Sequence, residues 1–298
     1  MLLNKIGEFG LIGRLKKRIK LDSSVIKGTG DDCAVLKFDK NNYQLFTCDM
    51  LVEGVDFTSN ELPYLIGRKA LAVSVSDIAA CAGTPRYCLV SLGLPVNTRL
   101  EFVDKLMKGM LEIAKQFKIN IVGGDISRAG RLTLDVGMLG IVEKKKLALR
   151  SGAEIGDVIF VTGALGGSIR GKHLNFTPRV KEARFLVKNF KVKAMIDISD
   201  GLIQDLRHIL KESGTGAVIY EDLLPKSKDA HDLDEVLYMG EDFELLFAVS
   251  KNAAQKLCAS RVPGFSAIGQ ITDKRYGLKV FDKNGKEKKL KNSGFRHF

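Results

Sequence analysis

Tryptophan is absent from the 298 residues, histidine occurs four times, and none of the five cysteines (Cys33, Cys48, Cys81, Cys88, Cys258) stands in a Cys-x-x-Cys pair. Lacking Trp, and lacking any basic stripe interleaved with aromatics, the chain has no stacking platform of the kind a single-strand nucleic-acid binder uses. Few histidines and no thiol pair argue against zinc. No run approaches the roughly 18 apolar residues of a membrane-spanning helix. The opening Met1-Leu2-Leu3-Asn4-Lys5 meets Gly7 and Glu8 too soon to make the apolar core of a signal peptide. An odd cysteine count in a chain of this length suits a reducing cytoplasm, with most thiols buried as small apolar groups. Also missing are the Gly-x-x-x-x-Gly-Lys-Ser/Thr loop and the His-Arg-Asp and Asp-Phe-Gly pair, which excludes the P-loop and protein-kinase solutions.

What is present is globular: 45% hydrophobic, 28% charged, and long enough for two domains. The formal net charge is +12. Much of the excess lies in Lys16-Lys17-Arg18, Lys144-Lys145-Lys146 and Lys286 to Lys291, which read as solvated surface. By composition the chain is organised around Ala70 to Pro85, where Asp77 is the only charge from Ala70 to Ala82. Leu71, Val75 and Ile78 fall at helical spacing, so this stretch predicts a helix buried on more than one face and stopped at Gly83 and Pro85. A lone carboxylate there either bonds to backbone at a helix end or faces a metal ion.

Strands and helices mix along the rest. Glu8 to Lys20 reads as a surface helix, and Ala34–Phe38 and Tyr43–Cys48 as strands around Asp39-Lys40-Asn41-Asn42. Cys88–Leu94, Ile119–Val122 and Leu132–Val142 are further strands. Thr98-Arg99-Leu100-Glu101 reads as a capping box opening a helix to about Phe117. In the second half, Val158–Thr162, Ala194–Ile198, Ala217–Tyr220, Glu244–Val249 and Ala267–Gln270 read as strands, and Pro178–Phe190, a segment ending at Ser213, and Lys251–Ser260 as helices. Asn284-Gly285 suits a hairpin turn. The class expected is α+β or mixed α/β, with a domain edge in the basic segment after residue 143, giving domains 1–143 and 144–298.

Four acidic sites share one grammar, an Asp beside Gly or Ser at the end of an apolar run: Gly30-Asp31-Asp32, Thr47-Cys48-Asp49, Gly123-Gly124-Asp125 and Asp197-Ile198-Ser199-Asp200-Gly201. Asp77 makes a fifth. Singly, each is a turn signal. Together, if they converge, they form a hard-oxygen cluster suited to Mg²⁺, which prefers carboxylates, water and substrate phosphates, and this points to phosphoryl chemistry.

At this point the chain resembles the thiamine-monophosphate kinase family, in the superfamily of aminoimidazole ribonucleotide synthetase. The resemblance is carried by Gly7-Glu8-Phe9, Gly30 to Leu36, Asp49 to Phe57, Lys69 to Ala80, Gly123 to Asp125, Leu149 to Ala153, Ile196 to Leu202, Gly240 to Phe247 and Gly294 to Phe298. The acidic motifs mark the superfamily; the Glu241 segment and the C-terminal ending mark the thiamine branch. The resemblance implies a two-domain aminoimidazole ribonucleotide synthetase-like fold: an N-terminal α/β half that dimerises through its strands, and a C-terminal α+β half that completes an active-site cleft. It implies ATP- and Mg²⁺-dependent, in-line phosphorylation of thiamine monophosphate to thiamine diphosphate, with several Mg²⁺ ions and ATP as co-substrate. It implies a cytoplasmic homodimer with no nucleic-acid or membrane partner.

Residue by residue, the resemblance puts metal ligands at Asp32, Cys48, Asp49, Asp77, Asp125, Asp197 and Asp200. ATP contacts fall at Gly124, Asp125, Arg150 and Ser199, and thiamine-side contacts at Asp56, Glu241 and Phe295. No general base is expected, because the acceptor is a phosphate oxygen already anionic at neutral pH. Three departures stand out. Cys48 replaces a hydroxyl residue, Met239 replaces the first of two glycines, and Asp56 stands where many relatives have His, where its charge would repel a phosphate unless metal or Lys intervenes. The alternatives that remain are an amide-activating ligase of the same superfamily, a nucleotide binder without turnover, and a nucleic-acid binder using the basic surface.

Overall fold

The structure, a computed structural model, describes residues 3–291. Its first half runs α1 (Leu3–Lys16), β1 (Val25–Lys27), β2 (Ala34–Lys37), β3 (Asn42–Val52), α2 (Pro63–Ala80), β4 (Thr84–Leu94), α3 (Leu100–Phe117), β5 (Asn120–Arg128) and β6 (Thr133–Glu143). Its second half runs β7 (Val158–Thr162), α4 (Lys172–Asn175), α5 (Val180–Asn189), β8 (Val192–Asp197), α6 (Leu202–Ser213), β9 (Gly216–Tyr220), α7 (Leu233–Tyr238), β10 (Leu245–Val249), α8 (Lys251–Ala259), β11 (Phe265–Thr272), β12 (Leu278–Phe281) and β13 (Glu287–Lys288).

Each half owns one mixed sheet. The first has the order β1-β2-β3-β6-β4-β5, with β4 and β5 parallel and its other neighbours antiparallel. The second has the order β13-β12-β9-β11-β7-β10-β8, with only the β9–β12 pair parallel. The expected mixed α/β class holds. A short 3₁₀ turn at Lys144–Lys146 follows the first sheet.

Helix α2 lies between the halves. It packs on β3 and β6 of the first sheet and on α4, α5 and β8 of the second half. Leu71, Val75 and Ile78 are fully buried, each contributing about 2 kcal/mol of apolar burial. The helix starts at Pro63 rather than near Ala70, because Pro at the first turn sets its backbone angle and needs no N–H partner there. It crosses α3 backbone to backbone. A Cβ on Gly67 would stand 2.0 Å from Leu106 O, and one on Gly109 1.9 Å from Tyr64 O, so only glycine permits the contact.

Some boundaries differ from the pattern-based expectation. Helix α1 ends at Lys16 and is broken at Gly7, whose φ of 64° lies outside the helical region. The capping box before α3 does not form: Arg99 is the N-cap without a side-chain bond, and the Thr98 hydroxyl donates back to Pro95 O at 2.7 Å. Gly123-Gly124-Asp125 is not a turn but the middle of β5, paired with Leu89-Val90-Ser91. The Asn284-Gly285 turn does join β12 and β13, with Gly285 N donating to Asp282 O at 2.9 Å.

Candidate active site

The polar side chains of α2 explain how a buried helix gathers acids. Ser74 donates to Asp49 Oδ2 at 2.6 Å, and Ser76 donates to Asp197 Oδ2 at 2.6 Å. Asp49 comes from β3 in the first half and Asp197 from the end of β8 in the second. Asp77 itself accepts from the Thr47 hydroxyl on β3. Two serines of a single helix turn therefore hold one carboxylate from each half, and the same turn adds the Asp77 carboxylate.

Asp32, Asp77 and Asp197 each bring a carboxylate oxygen within 4.8 Å of the others. Asp32 and Asp197 are buried and Asp77 is partly so. Arg150 Nη2 donates to Asp32 Oδ1 at 2.7 Å, but Asp32 Oδ2 is buried with no hydrogen-bond partner among the described residues. Burial opposes the charge on Arg150, yet Asp32, Asp31 and Asp205 outweigh it and raise its pKa above the ordinary value. Burial, followed by repulsion from Asp32, lifts Asp197 to about 7. Burial and repulsion from Asp49, Asp197 and Asp32 push Asp77 well above the usual carboxylate range. Burial lifts Asp49 to about 6, with the Ser74 bond working against the shift. One guanidinium does not balance this many carboxylates. Crowded hard oxygens with an unsatisfied acceptor among them fit a hard divalent cation such as Mg²⁺.

Other expected site residues stand apart. Cys48 is corrected: along β3 the odd positions Leu45, Thr47 and Leu51 are buried while Phe46, Cys48 and Met50 are exposed. The strand pleat therefore turns Cys48 away from the cluster. Its thiol meets Asp135 Oδ2 at 3.5 Å, and burial with that neighbour pushes it up to about 11. The residue facing the acids is Thr47, a hydroxyl missed by the sequence reading although the alternation Leu45-x-Thr47-x-Asp49-x-Leu51 could have found it. Asp125 is likewise not brought to the cluster. It and Gly124 are exposed on the edge strand β5, with Asp125 opposite Ser91. Asp200 stands in a second acidic group with Asp205 and His208, and its backbone N–H donates to Asp205 Oδ2 at 3.0 Å. Burial, followed by Arg150, lowers His208 to about 4. Lys69, Ser74, Ser76 and Asp205 are further polar groups of the site that the sequence reading did not single out.

Of the residues expected to contact thiamine, Asp56 turns its carboxylate inward to accept from Val52 N at 2.8 Å, while its carbonyl accepts from Lys69 Nζ at 2.6 Å. Glu241 pairs with the same Lys69. Ser199 O accepts from Glu241 N at 2.7 Å. A Cβ on Gly240 would lie 2.1 Å from that carbonyl, so the second glycine of the family pattern is required here. Met239, in place of the first, has φ −75° and ψ 121°, an ordinary extended conformation that any residue adopts. Phe295 lies outside the described residues. A separate cavity between Phe57, Ile66, Phe102 and Leu132 has one acid, Glu53, whose carboxylate is engaged by Leu132 N, so the chemistry does not gather there.

The N-terminal domain of the AIR synthase related protein family matches residues 30–142, and its C-terminal domain matches 133–281. Thiamine-monophosphate kinase from Buchnera aphidicola subsp. Acyrthosiphon pisum is 37% identical to this chain, covering 99% of each. The chain belongs to the thiamine-monophosphate kinase family. The Bacillus subtilis thiamine-monophosphate kinase is 33% identical over 98% of this chain and 99% of its own length. The solved structure of AaThiL complexed with AMPPCP and TMP superposes with a TM-score of 0.87 at 30% identity, covering 100% of this chain and 99% of that one. A HypE-HypF complex, at 21% identity and a TM-score of 0.76, shares the fold alone. The family match and the fold agree with the resemblance read from the sequence, and this thiamine-monophosphate kinase family member keeps the superfamily's two sheets.

Proposed function

We propose that the chain transfers the terminal phosphoryl group of ATP directly to thiamine monophosphate, giving thiamine diphosphate and ADP. The observation that carries this reading is the convergence of Asp32, Asp77 and Asp197, drawn from a loop, a helix and a strand end, around an unsatisfied buried oxygen. The full-length family match supports the choice of substrates.

The acceptor oxygen of a phosphate monoester is anionic at neutral pH, so the protein has no proton to remove before transfer. Its task is to bring two polyanions together and align them. Mg²⁺ held by Asp32, Asp77 and Asp197, with Asp49 beside them, would offset that repulsion and favour in-line alignment. Ser74 and Ser76 fix the carboxylates they donate to, and Thr47 fixes Asp77. Arg150 presents a permanently charged fork at the edge of the cluster, which would meet nucleotide phosphate, with Ser199 as a further ATP contact in this reading. Asp200 joins the acidic set through Asp205. Glu241 and Asp56 address the thiamine end, with Lys69 between the Glu241 carboxylate and the Asp56 backbone carbonyl.

The domains we assign are 1–143 and 144–298, each built on its own sheet with the cleft between. We also infer a homodimer. The outward face of the first sheet exposes Phe46, Met50, Tyr87 and Leu89, an apolar surface that a second copy would cover. Cys48 and Asp125, which a single chain leaves outside its acidic cluster, belong to the same face and edge. Leu89→Glu is expected to convert a species of twice the 32.8 kDa chain mass into a monomer in light scattering. An unchanged mass in the variant would remove that face from the interface. Five unpaired cysteines and an ATP substrate suit a cytoplasmic setting. Among the described residues no helix is long and apolar enough to cross a membrane.

Incubation with ATP, Mg²⁺ and thiamine monophosphate, read by chromatography, tests the activity. Equal amounts of ADP and thiamine diphosphate are expected. ADP without the diphosphate would favour an amide-activating relative. A rise in melting temperature with ATP but no ADP would favour a binder without turnover.

A further inference from the structure

Lys69 is fully buried, and a buried ammonium is costly unless it is paired and hydrogen-bonded. Among the described residues its recorded partners are the Asp56 carbonyl, at 2.6 Å, and the Glu241 carboxylate. These are the two thiamine-side residues of the reading above, one from each half of the chain, and α2 presents the lysine between them.

Glu241 is held from the other side as well. Its φ is 61° and that of Phe243 is 49°, left-handed values that side chains seldom adopt without compensation. The compensation is visible. Glu241 N and Phe243 N donate to Ser199 O and Ile198 O at 2.7 and 2.8 Å. Gly166 N donates to Asp242 at 3.0 Å, and Glu244 is clamped by Arg179 at 2.6 and 2.7 Å. The segment is thus fixed to the second half at every neighbouring residue, and among the described residues the Glu241 carboxylate reaches back to the first half through Lys69.

We propose that Lys69 is a positioning residue that assembles the thiamine end of the site, fixing Glu241 against Asp56 across the cleft. Because the lysine offsets its charge, Glu241 meets the substrate as a fixed hydrogen-bond acceptor rather than as a free anion. The ligand chemistry that this suits is a heteroaromatic ring bearing an amino group. The proposal rests on the reading of Glu241 as a thiamine-side residue.

Steady-state kinetics of Lys69→Met, Glu241→Gln, Glu241→Ala and the double variant Lys69→Met/Glu241→Ala provide the test. Lys69→Met is expected to raise KM for thiamine monophosphate by about 10-fold or more, since a small displacement of a positioning group costs up to about 10²-fold. KM for ATP should stay within about 2-fold. Glu241→Gln keeps an acceptor and is expected to be milder than Glu241→Ala. The double variant should be no worse than the worse single one, because both changes break one pair. Multiplying effects, or equal rises in both KM values, would reduce Lys69 to a structural part and overturn the proposal while leaving the Glu241 reading intact. Unchanged KM for thiamine monophosphate in Glu241→Ala would sink that reading, and the proposal with it. Should Lys69→Met fail to fold, Lys69→Arg keeps the charge but misplaces it. The same selective rise in KM for thiamine monophosphate is expected there, and an unselective one would contradict the proposal.

Discussion

Asp77→Asn is expected to lower kcat by about 10³-fold, near 4 kcal/mol of transition-state stabilisation, while the cation-free protein melts at the same temperature or higher. The two readouts move apart for one reason. Burial and three neighbouring carboxylates all oppose the ionised form of Asp77. Asn keeps the volume and still accepts from the Thr47 hydroxyl, but removes the repulsion. A residue kept for stability would behave the other way, losing melting temperature with the charge. Full activity in Asp77→Asn, or a large drop in melting temperature alongside the lost activity, would contradict the assignment. Differential scanning calorimetry and initial-rate assays on one preparation decide it.

The second large effect is a coupling of Mg²⁺ to pH. Asp49 stands at about 6 and Asp197 at about 7, both raised by burial. A carboxyl with a raised pKa binds its proton more tightly in the folded chain than in the unfolded one. Its contribution to stability is therefore fully present below the unfolded value, near 4, and is lost as pH rises through about 6 to 7. The cation-free protein is expected to lose melting temperature between about pH 5 and pH 8 from this cluster. Mg²⁺ binds the ionised form, so millimolar Mg²⁺ should restore roughly 4 °C at about pH 8 and much less at about pH 5.5. A Mg²⁺ shift equal at the two pH values would mean that the ion binds elsewhere.

Much of this site was legible because its acids sit where apolar runs end. Asp32 and Asp197 were found by that grammar and Asp77 as the lone charge of an apolar run, and the structure brings those three together. The buried helix was legible from its Ala-rich run and lone charge. What failed has physical causes. Cys48 was carried over by position, but strand alternation decides which neighbour faces the acids, and it chose Thr47. Asp125 was placed after a turn, whereas Gly123 and Gly124 continue an edge strand whose exposure a single chain does not relieve. The capping box before α3 had the right letters, but the Thr98 hydroxyl was captured by Pro95 O. Lys69 escaped notice because lysines are ordinarily at the surface, and nothing local reveals a partner 172 residues away. Ser74 and Ser76 looked like small core residues until the carboxylates they hold came from other elements.

Crystals soaked in Mn²⁺ with a non-hydrolysable ATP analogue give the most direct test, because manganese scatters anomalously and replaces magnesium on oxygen ligands. Anomalous difference peaks are predicted among the carboxylates of Asp32, Asp77 and Asp197. A map with its manganese peaks elsewhere and none among those three side chains would contradict the account.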